Sequence, residues 1–175
     1  MEVLVSERKP TVAEVAGGFD AFVRSRRPHL WRAAWLLTGD RHKADDLVQT
    51  ALGRTYGRYE ALGNDHKFEA YVRTAMYRTY VSWWRRRWNA EAPSDEVPEA
   101  STDDGDQAVS IDVVRALASL PKMQRAVMVL RFLEDRPVSE VAELLGIAEG
   151  TVKAHTSQGR AALRASLHLN EEDQP

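Results

Sequence analysis

The sequence predicts an all-α protein built from two small helical domains joined by a flexible acidic linker. Apolar residues recur at helical spacing in both halves of the chain, and no β-type alternation accompanies them. Between the halves, residues 91–112 hold eight acidic residues and no lysine or arginine, with proline and serine among them. Such a stretch cannot bury an apolar core, so we expect residues 91–110 to be the linker.

The composition excludes several classes of protein. The 175 residues include no cysteine, which removes disulfide scaffolds, thiolate zinc sites and thiol nucleophiles. No apolar run approaches the roughly 18 residues of a membrane-spanning helix. The first ten residues lack the basic-then-apolar order of a signal peptide. We therefore expect a cytoplasmic protein without membrane insertion.

The net charge of −2 conceals a block pattern. Residues 20–90 carry 14 basic and 7 acidic residues, and residues 113–167 carry 8 basic and 5 acidic residues. Two basic blocks separated by acid predict two modules. We expect a flexible N-terminal tail over residues 1–17 and a first domain over residues 18–90. The linker over residues 91–110 leads to a second domain over residues 111–167, and an acidic tail over residues 168–175 follows it.

The N-terminal basic block predicts three helices. The first ends where Thr38-Gly-Asp breaks its apolar period, and Asp40 is a suitable N-cap for the second. Gly63-Asn-Asp favours a turn, so we expect a loop over residues 61–66 and then a long third helix over residues 67–88. The apolar faces of the first two helices are Phe19, Phe22, Val23, Leu30, Ala33, Ala34 and Leu37, then Ala44, Leu47, Val48, Ala51, Leu52 and Tyr56.

The third helix combines aromatic and basic residues. Its core face is predicted as Phe68, Val72, Ala75, Met76, Thr79 and Trp83, and the neighbouring stripe as Arg73, Tyr77, Tyr80, Trp84 and Trp88. An aromatic stripe is more often core than binding surface, but this one is interleaved with arginines. Exposed rings among cations suit single-stranded nucleic acid, where stacking contributes about 1–3 kcal/mol per base.

The C-terminal basic block predicts four shorter helices, over residues 111–119, 122–133, 138–145 and 149–166. Pro121 and Pro137 stand near two of the helix starts, where a missing N–H costs little. Gly146 ends the third of these helices.

Residues 138–155 have the layout of a helix-turn-helix. The apolar contacts between its helices would come from Val141, Ala142, Leu145, Ile147 and Val152. The second helix can enter a major groove, whereas the competing interpretation is a plain helical hairpin with a solvated face. The outward residues would be Thr151, Lys153, Ala154, His155, Ser157 and Gln158, with Arg160 and Arg164 in reach of phosphates.

Three segments together resemble a known family. Residues 44–56 are similar to a polymerase-docking motif, residues 71–87 to a promoter-melting helix, and residues 120–131 with the helix-turn-helix to a promoter-reading domain. Over residues 19–167 the chain resembles bacterial RNA polymerase sigma factors of the extracytoplasmic-function (ECF) group, most closely the actinobacterial SigE type. The resemblance rests on the order and spacing of the three segments, with the acidic linker between them.

The resemblance implies a role for each matching position. Core-polymerase contacts fall on Asp45, Asp46, Leu47, Gln49 and Arg54. Minus-ten contacts fall on Asn64 and Lys67 in the specificity loop (residues 62–67) and on Arg73, Tyr77, Arg78, Ser82, Trp84 and Arg85. Minus-thirty-five contacts fall on Thr151, Lys153, His155, Ser157, Gln158 and Arg160.

The resemblance also implies the partners. These are core RNA polymerase, through the clamp helices of its largest subunits and its flap, and promoter DNA, both as duplex and as melted strand. An anti-sigma factor is a further expected partner, which only the family resemblance implies. The linker would thread the RNA exit channel, and no cofactor is implied.

Some positions depart from the family pattern. Thr50 stands where a glutamate is common, and Arg78 and Ser82 stand where asparagine and aspartate are common. Ala148 replaces a capping serine at the start of the recognition helix, which costs about 1 kcal/mol of capping. Lys153, His155 and Gln158 replace arginines, so fewer guanidinium groups are available to read guanine.

Two other functional classes compete with this interpretation. A stand-alone LuxR-type helix-turn-helix regulator would explain residues 149–155, but it leaves the docking motif and the melting helix without a role. An enzyme is the weakest alternative, because the five histidines lack metal-ligand spacing and no nucleophile motif appears. We therefore expect no catalytic residues and no metal site.

Overall fold

The computed structural model describes residue 9, residues 11–88 and residues 111–172. Helices account for nearly all of these residues, and the described ranges contain no strand, as the predicted all-α class requires. The predicted linker over residues 91–110 lies outside them. The helices are α1 (Val12–Thr38), α2 (Arg41–Thr55), α3 (Tyr59–Leu62), α4 (Asp65–Trp88), α5 (Ile111–Ala118), α6 (Lys122–Met128), α7 (Val138–Leu145) and α8 (Glu149–Glu172).

The first helix begins earlier than the sequence predicts. The Thr11 hydroxyl accepts a hydrogen bond from the Glu14 amide (3.3 Å), and the Glu14 carboxylate accepts one from the Thr11 amide (2.7 Å). This reciprocal capping box starts α1 at Val12. The flexible tail predicted over residues 1–17 is therefore wrong for residues 12–17, which are helical.

The break between α1 and α2 is as predicted. Gly39 adopts φ 66°, which favours glycine, and its N–H donates to the Trp35 carbonyl at 2.8 Å. Asp40 then caps α2, with its carboxylate accepting from the Lys43 amide at 2.9 Å.

The predicted loop over residues 61–66 is shorter than expected. A 3₁₀ turn over Tyr56–Arg58 leads into α3, and α4 already begins at Asp65. Only residues 63 and 64 separate the two helices, because Gly63 closes α3 at φ 60° and Asn64 caps α4.

The C-terminal helices follow the prediction more closely. A π-helical turn over Val129–Leu133 continues α6, so the predicted span of 122–133 holds with a change of pitch. The helix-turn-helix is α7 and α8, and Gly146 caps α7 at φ 67°. The last helix extends to Glu172, so the acidic tail predicted over residues 168–175 is helical as far as residue 172.

The two groups of helices, α1–α4 and α5–α8, pack against each other. Their buried apolar residues form one continuous cluster, with α5 against α1 and α7 against α4. Arg125 of α6 crosses this boundary and donates to the Leu37 carbonyl at 3.0 Å. The long helix α4 therefore has neighbours on two sides, and this decides which of its residues reach solvent.

Candidate nucleic-acid interface

The first side of α4 belongs to the N-terminal core. Phe68, Val72 and Met76 are completely buried there, and Thr79 is buried with them. The Thr79 hydroxyl accepts a hydrogen bond from the Arg54 guanidinium at 3.1 Å. The predicted core face is thus present. Arg54, which is a predicted polymerase contact, also links α2 to α4 through this hydrogen bond.

The second side of α4 faces the C-terminal helices. Arg73 forms a salt bridge with Glu134, and the Thr74 hydroxyl lies 3.4 Å from an Arg136 nitrogen. Tyr77 is only 1% exposed. The prediction that Tyr77 lies on an exposed stripe is therefore wrong in this arrangement, because the second group of helices covers that side.

Burial has an electrostatic consequence for Tyr77. Loss of solvent, followed by the nearby Glu134 carboxylate, raises the pKa of Tyr77 well above its ordinary value. Arg73 and Arg136 act in the opposite direction but do not reverse the shift. The phenol is therefore held in its neutral form.

The third side of α4 is open to solvent and forms what we name the outer stripe: Lys67, Tyr71, Arg78 and Arg85. All four are exposed, and their spacing of four, seven and seven residues places them along one line of the helix. Tyr71 is 41% exposed and was not among the predicted contacts. The signal that identifies it is its spacing, four residues after Lys67 and seven before Arg78, which places it on the same line of the helix as these two predicted contacts.

A cleft runs between α4 and α7 beside the outer stripe. It has a volume of about 370 Å³ and is lined by Arg78, Val81, Ser82, Arg85, Arg86 and Leu144. Three guanidinium groups around one opening suit phosphate oxygens, which accept the paired N–H groups of arginine. Arg78, Ser82 and Arg85, all predicted minus-ten contacts, are brought together here.

Trp84 lies in a different place from these residues. It is half-buried and lines a second cavity of about 380 Å³ with Tyr80, Trp83, Lys122 and Arg125, among others. Because Lys122 and Arg125 come from α6, this cavity lies at the boundary of the two helix groups. The structure thus separates Trp84 from the outer stripe.

The predicted specificity loop is anchored at its base. The Asn64 side-chain oxygen accepts hydrogen bonds from the amides of His66 (2.8 Å) and Lys67 (3.1 Å). The Tyr59 hydroxyl donates to the Asp65 carboxylate at 3.0 Å. Asn64 is thus occupied as a helix cap through its oxygen, whereas Lys67 extends into solvent at the start of the outer stripe.

The recognition helix α8 has an exposed stripe of its own. Lys153, Ser157, Arg160 and Arg164 are all exposed and follow one another at spacings of four, three and four residues. Val152 is fully buried against α7 and holds the opposite face inward. The stripe therefore projects away from the core, as a groove-binding helix requires.

Two of the predicted residues of α8, Gln158 and Arg160, contact α6 or its continuation. The Gln158 oxygen accepts from the Gln124 side-chain amide at 3.0 Å, and the Arg160 guanidinium lies 4.7 Å from the ring centre of Phe132. His155 is half-buried and Thr151 is exposed. Gln158 and Arg160 are thus already engaged within the chain.

The predicted polymerase contacts on α2 divide in two. Asp46 and Gln49 are exposed, and Asp45 is half-exposed in a 3.1 Å salt bridge with Arg27. Leu47 is completely buried. Its predicted place on the contact surface is therefore wrong, because α2 packs that side against α1 and α4.

The described residues include no group of three or more side chains that could hold a metal ion. Within residues 11–88 and 111–172, none of the helices combines the length and apolarity needed to cross a membrane.

Comparison with known proteins identifies both helix groups. The family description "Sigma-70 region 2" matches residues 22–90, and "Sigma-70, region 4" matches residues 110–163. The RNA polymerase sigma-E factor of Streptomyces avermitilis is 40% identical over 160 residues, 89% of this chain and 88% of that protein. The chain belongs to the ECF sigma factors of bacterial RNA polymerase.

Further relatives agree with this assignment. The sigma-E factor of Streptomyces coelicolor is 41% identical over 154 residues, covering 85% of each chain. The ECF sigma factor SigM of Mycobacterium tuberculosis is 30% identical over 174 residues, 94% of this chain and 87% of its own. The predicted SigE-like resemblance is confirmed, and a stand-alone LuxR-type regulator is not favoured.

A solved structure shares the fold. The sigma factor RpoE of Bartonella quintana, crystallised with the anti-sigma factor NepR, superposes with a TM-score of 0.65 over 90% of this chain and 99% of that one. The two sequences are 23% identical. As an ECF sigma factor, the chain is a transcription initiation factor that works with core RNA polymerase on promoter DNA. Sigma factors are not themselves enzymes.

Proposed function

We propose that this sigma factor divides its contacts among three helix surfaces. The exposed side of α2, with Asp45, Asp46 and Gln49, would bind core polymerase. The outer stripe of α4 and the arginine-lined cleft beside it would hold the melted minus-ten strand. The exposed stripe of α8 would contact the minus-thirty-five duplex.

The outer stripe is the observation that carries the proposal. It combines an exposed ring at Tyr71 with cations at Lys67, Arg78 and Arg85 along one line of a single helix. Phosphate contacts together with a ring for base stacking are what an unpaired strand requires. Among the exposed residues that the structure describes on α2 and on residues 149–167 of α8, none is a phenylalanine, tyrosine or tryptophan.

The stripe on α8 supports the other half of the proposal. Its exposed residues are two arginines, one lysine and one serine, which suit contacts to duplex phosphates and base edges. Lys153 lies nearest the start of the helix, the end that contacts base edges in helix-turn-helix complexes.

Two broader parts of the function rest on family membership. The cytoplasm is the proposed location, because that is where bacterial polymerase transcribes. An anti-sigma factor is a proposed further partner on the same ground, and no residue of the chain is assigned to it.

Run-off transcription tests the proposed function. Purified core polymerase from an actinobacterium would be assayed with and without the protein on genomic fragments. Discrete transcripts that require the protein are expected, and their start sites would locate both promoter elements. Specific duplex binding by the protein alone, without polymerase-dependent transcripts, would contradict the proposal.

Two variants separate the roles of α4 and α8. Arg78→Ala should lower transcription about tenfold on duplex and pre-melted templates alike, because the melted strand is present in both. Lys153→Ala should weaken transcription on the duplex only and reduce the salt slope of promoter binding by about 1. Arg24→Ala, an exposed change on α1 outside both stripes, is the matched control. Equal losses in all three variants would refute the division of roles.

A further inference from the structure

We propose that Phe132 is a positioning residue for the minus-thirty-five contact, because its ring holds the guanidinium of Arg160 at the edge of the exposed stripe of α8. The inference rests on the function proposed for α8, in which that stripe contacts the upstream duplex. Phe132 itself lies outside α8, in the π-helical turn that continues α6. No sequence motif gave it a role in DNA binding.

Phe132 is a large apolar side chain that the core does not cover. It is 49% exposed, whereas Val129 and Leu130 in the same turn are 2% and 0% exposed. The guanidinium carbon of Arg160 lies over its ring, 4.7 Å from the ring centre. This distance is within the roughly 6 Å of a cation–π contact. The ring is therefore placed against a cation of the recognition helix.

The π-helical turn presents the ring at a fixed place. The Glu134 amide donates to the Val129 carbonyl at 3.1 Å, five residues back along the chain, so the turn is wider than an α-helical one. A wider turn changes the direction of the side chains at its end, where Phe132 is exposed. The Arg131 guanidinium donates to the Arg136 carbonyl at 2.8 Å and holds the turn to the segment that follows. Single π-helical turns are frequent at functional sites.

Arg160 is fixed from the other side by a close approach of α6 and α8. A Cβ atom added at Gly159 would lie 2.7 Å from both Cγ and Sδ of Met128, which is closer than van der Waals contact permits. The glycine therefore lets the two helices approach one residue before Arg160. A hydrogen bond of 3.0 Å between Gln124 and Gln158 joins the same helices. Packing thus sets how far the Arg160 backbone lies from the turn that bears the ring.

Contact with the ring leaves the Arg160 guanidinium able to bind phosphate. An aromatic ring engages the flat face of a guanidinium, whereas the N–H groups point outward in its plane. Arg160 is exposed, and none of the carboxylates that the structure describes forms a salt bridge with it. Its N–H groups can therefore pair with phosphate oxygens. Because the ring already restricts this long side chain, less conformational entropy is lost when DNA binds.

The test compares two promoter fragments bound by the holoenzyme, which is formed from core polymerase and the full chain. Both fragments come from a promoter located by run-off transcription and bear a fluorescent label for anisotropy. The long fragment includes the minus-thirty-five element, and the short fragment is pre-melted and ends downstream of that element. A residue that positions α8 contacts should affect the long fragment alone.

Phe132→Leu should raise the Kd for the long fragment about threefold, the size of an exposed cation–π contact, and leave the Kd for the short fragment unchanged. Phe132→Trp keeps a ring that attracts cations more strongly and should bind at least as tightly as the unaltered protein. Leu133→Ala, at the neighbouring exposed apolar residue, is the matched control and should change neither Kd. Circular dichroism and urea unfolding would verify that each variant is folded.

A double variant separates positioning from a structural role. Arg160→Gln removes the cation and should raise the Kd for the long fragment about tenfold. Phe132→Leu should cause no further loss in that background, because the ring then has no guanidinium to hold. A residue that merely stabilised the fold would weaken binding as much in the double variant as it does alone.

A Kd for Phe132→Leu equal to that of Leu133→Ala would overturn the inference. An additive loss in the double variant, or the same loss in Phe132→Trp as in Phe132→Leu, would do so as well. In each of these cases the function proposed for α8 stands if Arg160→Gln or Lys153→Ala weakens binding to the long fragment. If neither variant weakens it, that function fails and this inference fails with it.

Discussion

Arg125 is a single residue on which both helix groups depend. Its side chain is 8% exposed and donates to the carbonyls of Leu117 (2.9 Å), Ala118 (2.8 Å) and Leu37 (3.0 Å). These carbonyls belong to the ends of α5 and α1, where the negative poles of two helix dipoles meet. Burial lowers the pKa of Arg125 from its ordinary value, yet a guanidinium stays charged. The carbonyl cluster therefore offsets the loss of water around the cation.

Arg125→Ala should lower the free energy of unfolding by about 2–4 kcal/mol, because it leaves buried carbonyls without their donor. Urea unfolding of the full chain measures this. Arg115→Ala, at an exposed site on α5, should change stability by less than about 0.5 kcal/mol. A similar small change for both variants would show that water replaces the guanidinium without cost.

At the scale of the element, α4 and α8 illustrate two ways of exposing a stripe. The recognition helix α8 buries one face through residues such as Val152 and leaves the opposite face open, so its pattern is readable along the chain. Helix α4 is covered on two sides and has only a narrow exposed line. A single apolar face therefore describes α8 well and α4 poorly.

The start of α8 also lacks a side-chain cap. Ala148 precedes its first residue, and its carbonyl accepts from the Val152 amide at 3.0 Å, while its methyl group can accept nothing. Ala148→Ser should raise the free energy of unfolding by about 1 kcal/mol by adding an acceptor for the first-turn amides.

Ala161→Ser, an exposed change within α8, is the control for this prediction and should be neutral or slightly destabilising. Urea midpoints of both variants would be compared. A lower midpoint for Ala148→Ser than for Ala161→Ser would mean that the turn between α7 and α8 does not allow the capping geometry.

At the scale of the whole molecule, the contact between the helix groups determines which residues are accessible. Trp84 lies beside an interdomain cavity and Tyr77 beneath the C-terminal helices, although both belong to a predicted DNA-binding stripe. The same contact changes the ionisation of Tyr77, which is surrounded by Glu134, Arg73 and Arg136.

Stability should therefore fall as the pH rises above about 10, the pKa of an unperturbed tyrosine. The unfolded chain loses the Tyr77 proton there while the folded chain retains it, so ionisation favours unfolding. Burial raises the pKa of Tyr80 in the same direction. Tyr77→Phe should make the decline shallower without abolishing it, as measured by urea unfolding between pH 8 and 11.

Tyr71→Phe is the control, because it removes an exposed hydroxyl from the same helix. Its stability should decline with pH as in the unaltered protein. An equal decline in Tyr77→Phe would show that the buried phenol does not control alkaline stability.

Local chemistry made much of the fold predictable. The break at Gly39 and Asp40, the cap at Gly146 and the span of α6 with its π-helical continuation follow from signals within a few residues of each other. The capping box of Thr11 and Glu14 was equally local and could have placed the start of α1. The incorrect prediction of a flexible tail over residues 12–17 therefore has a local cause and not a tertiary one.

What the sequence by itself determined is the helical class, the order of the helices, the helix-turn-helix and the family. These depend on periodicity, caps and motifs, which are properties of neighbouring residues. The tertiary structure alone decided that Tyr77 is buried and that Arg73 is paired with Glu134. The physical reason is that periodicity gives each side chain an angle about its own helix axis. Only packing determines whether core, second domain or water lies at that angle.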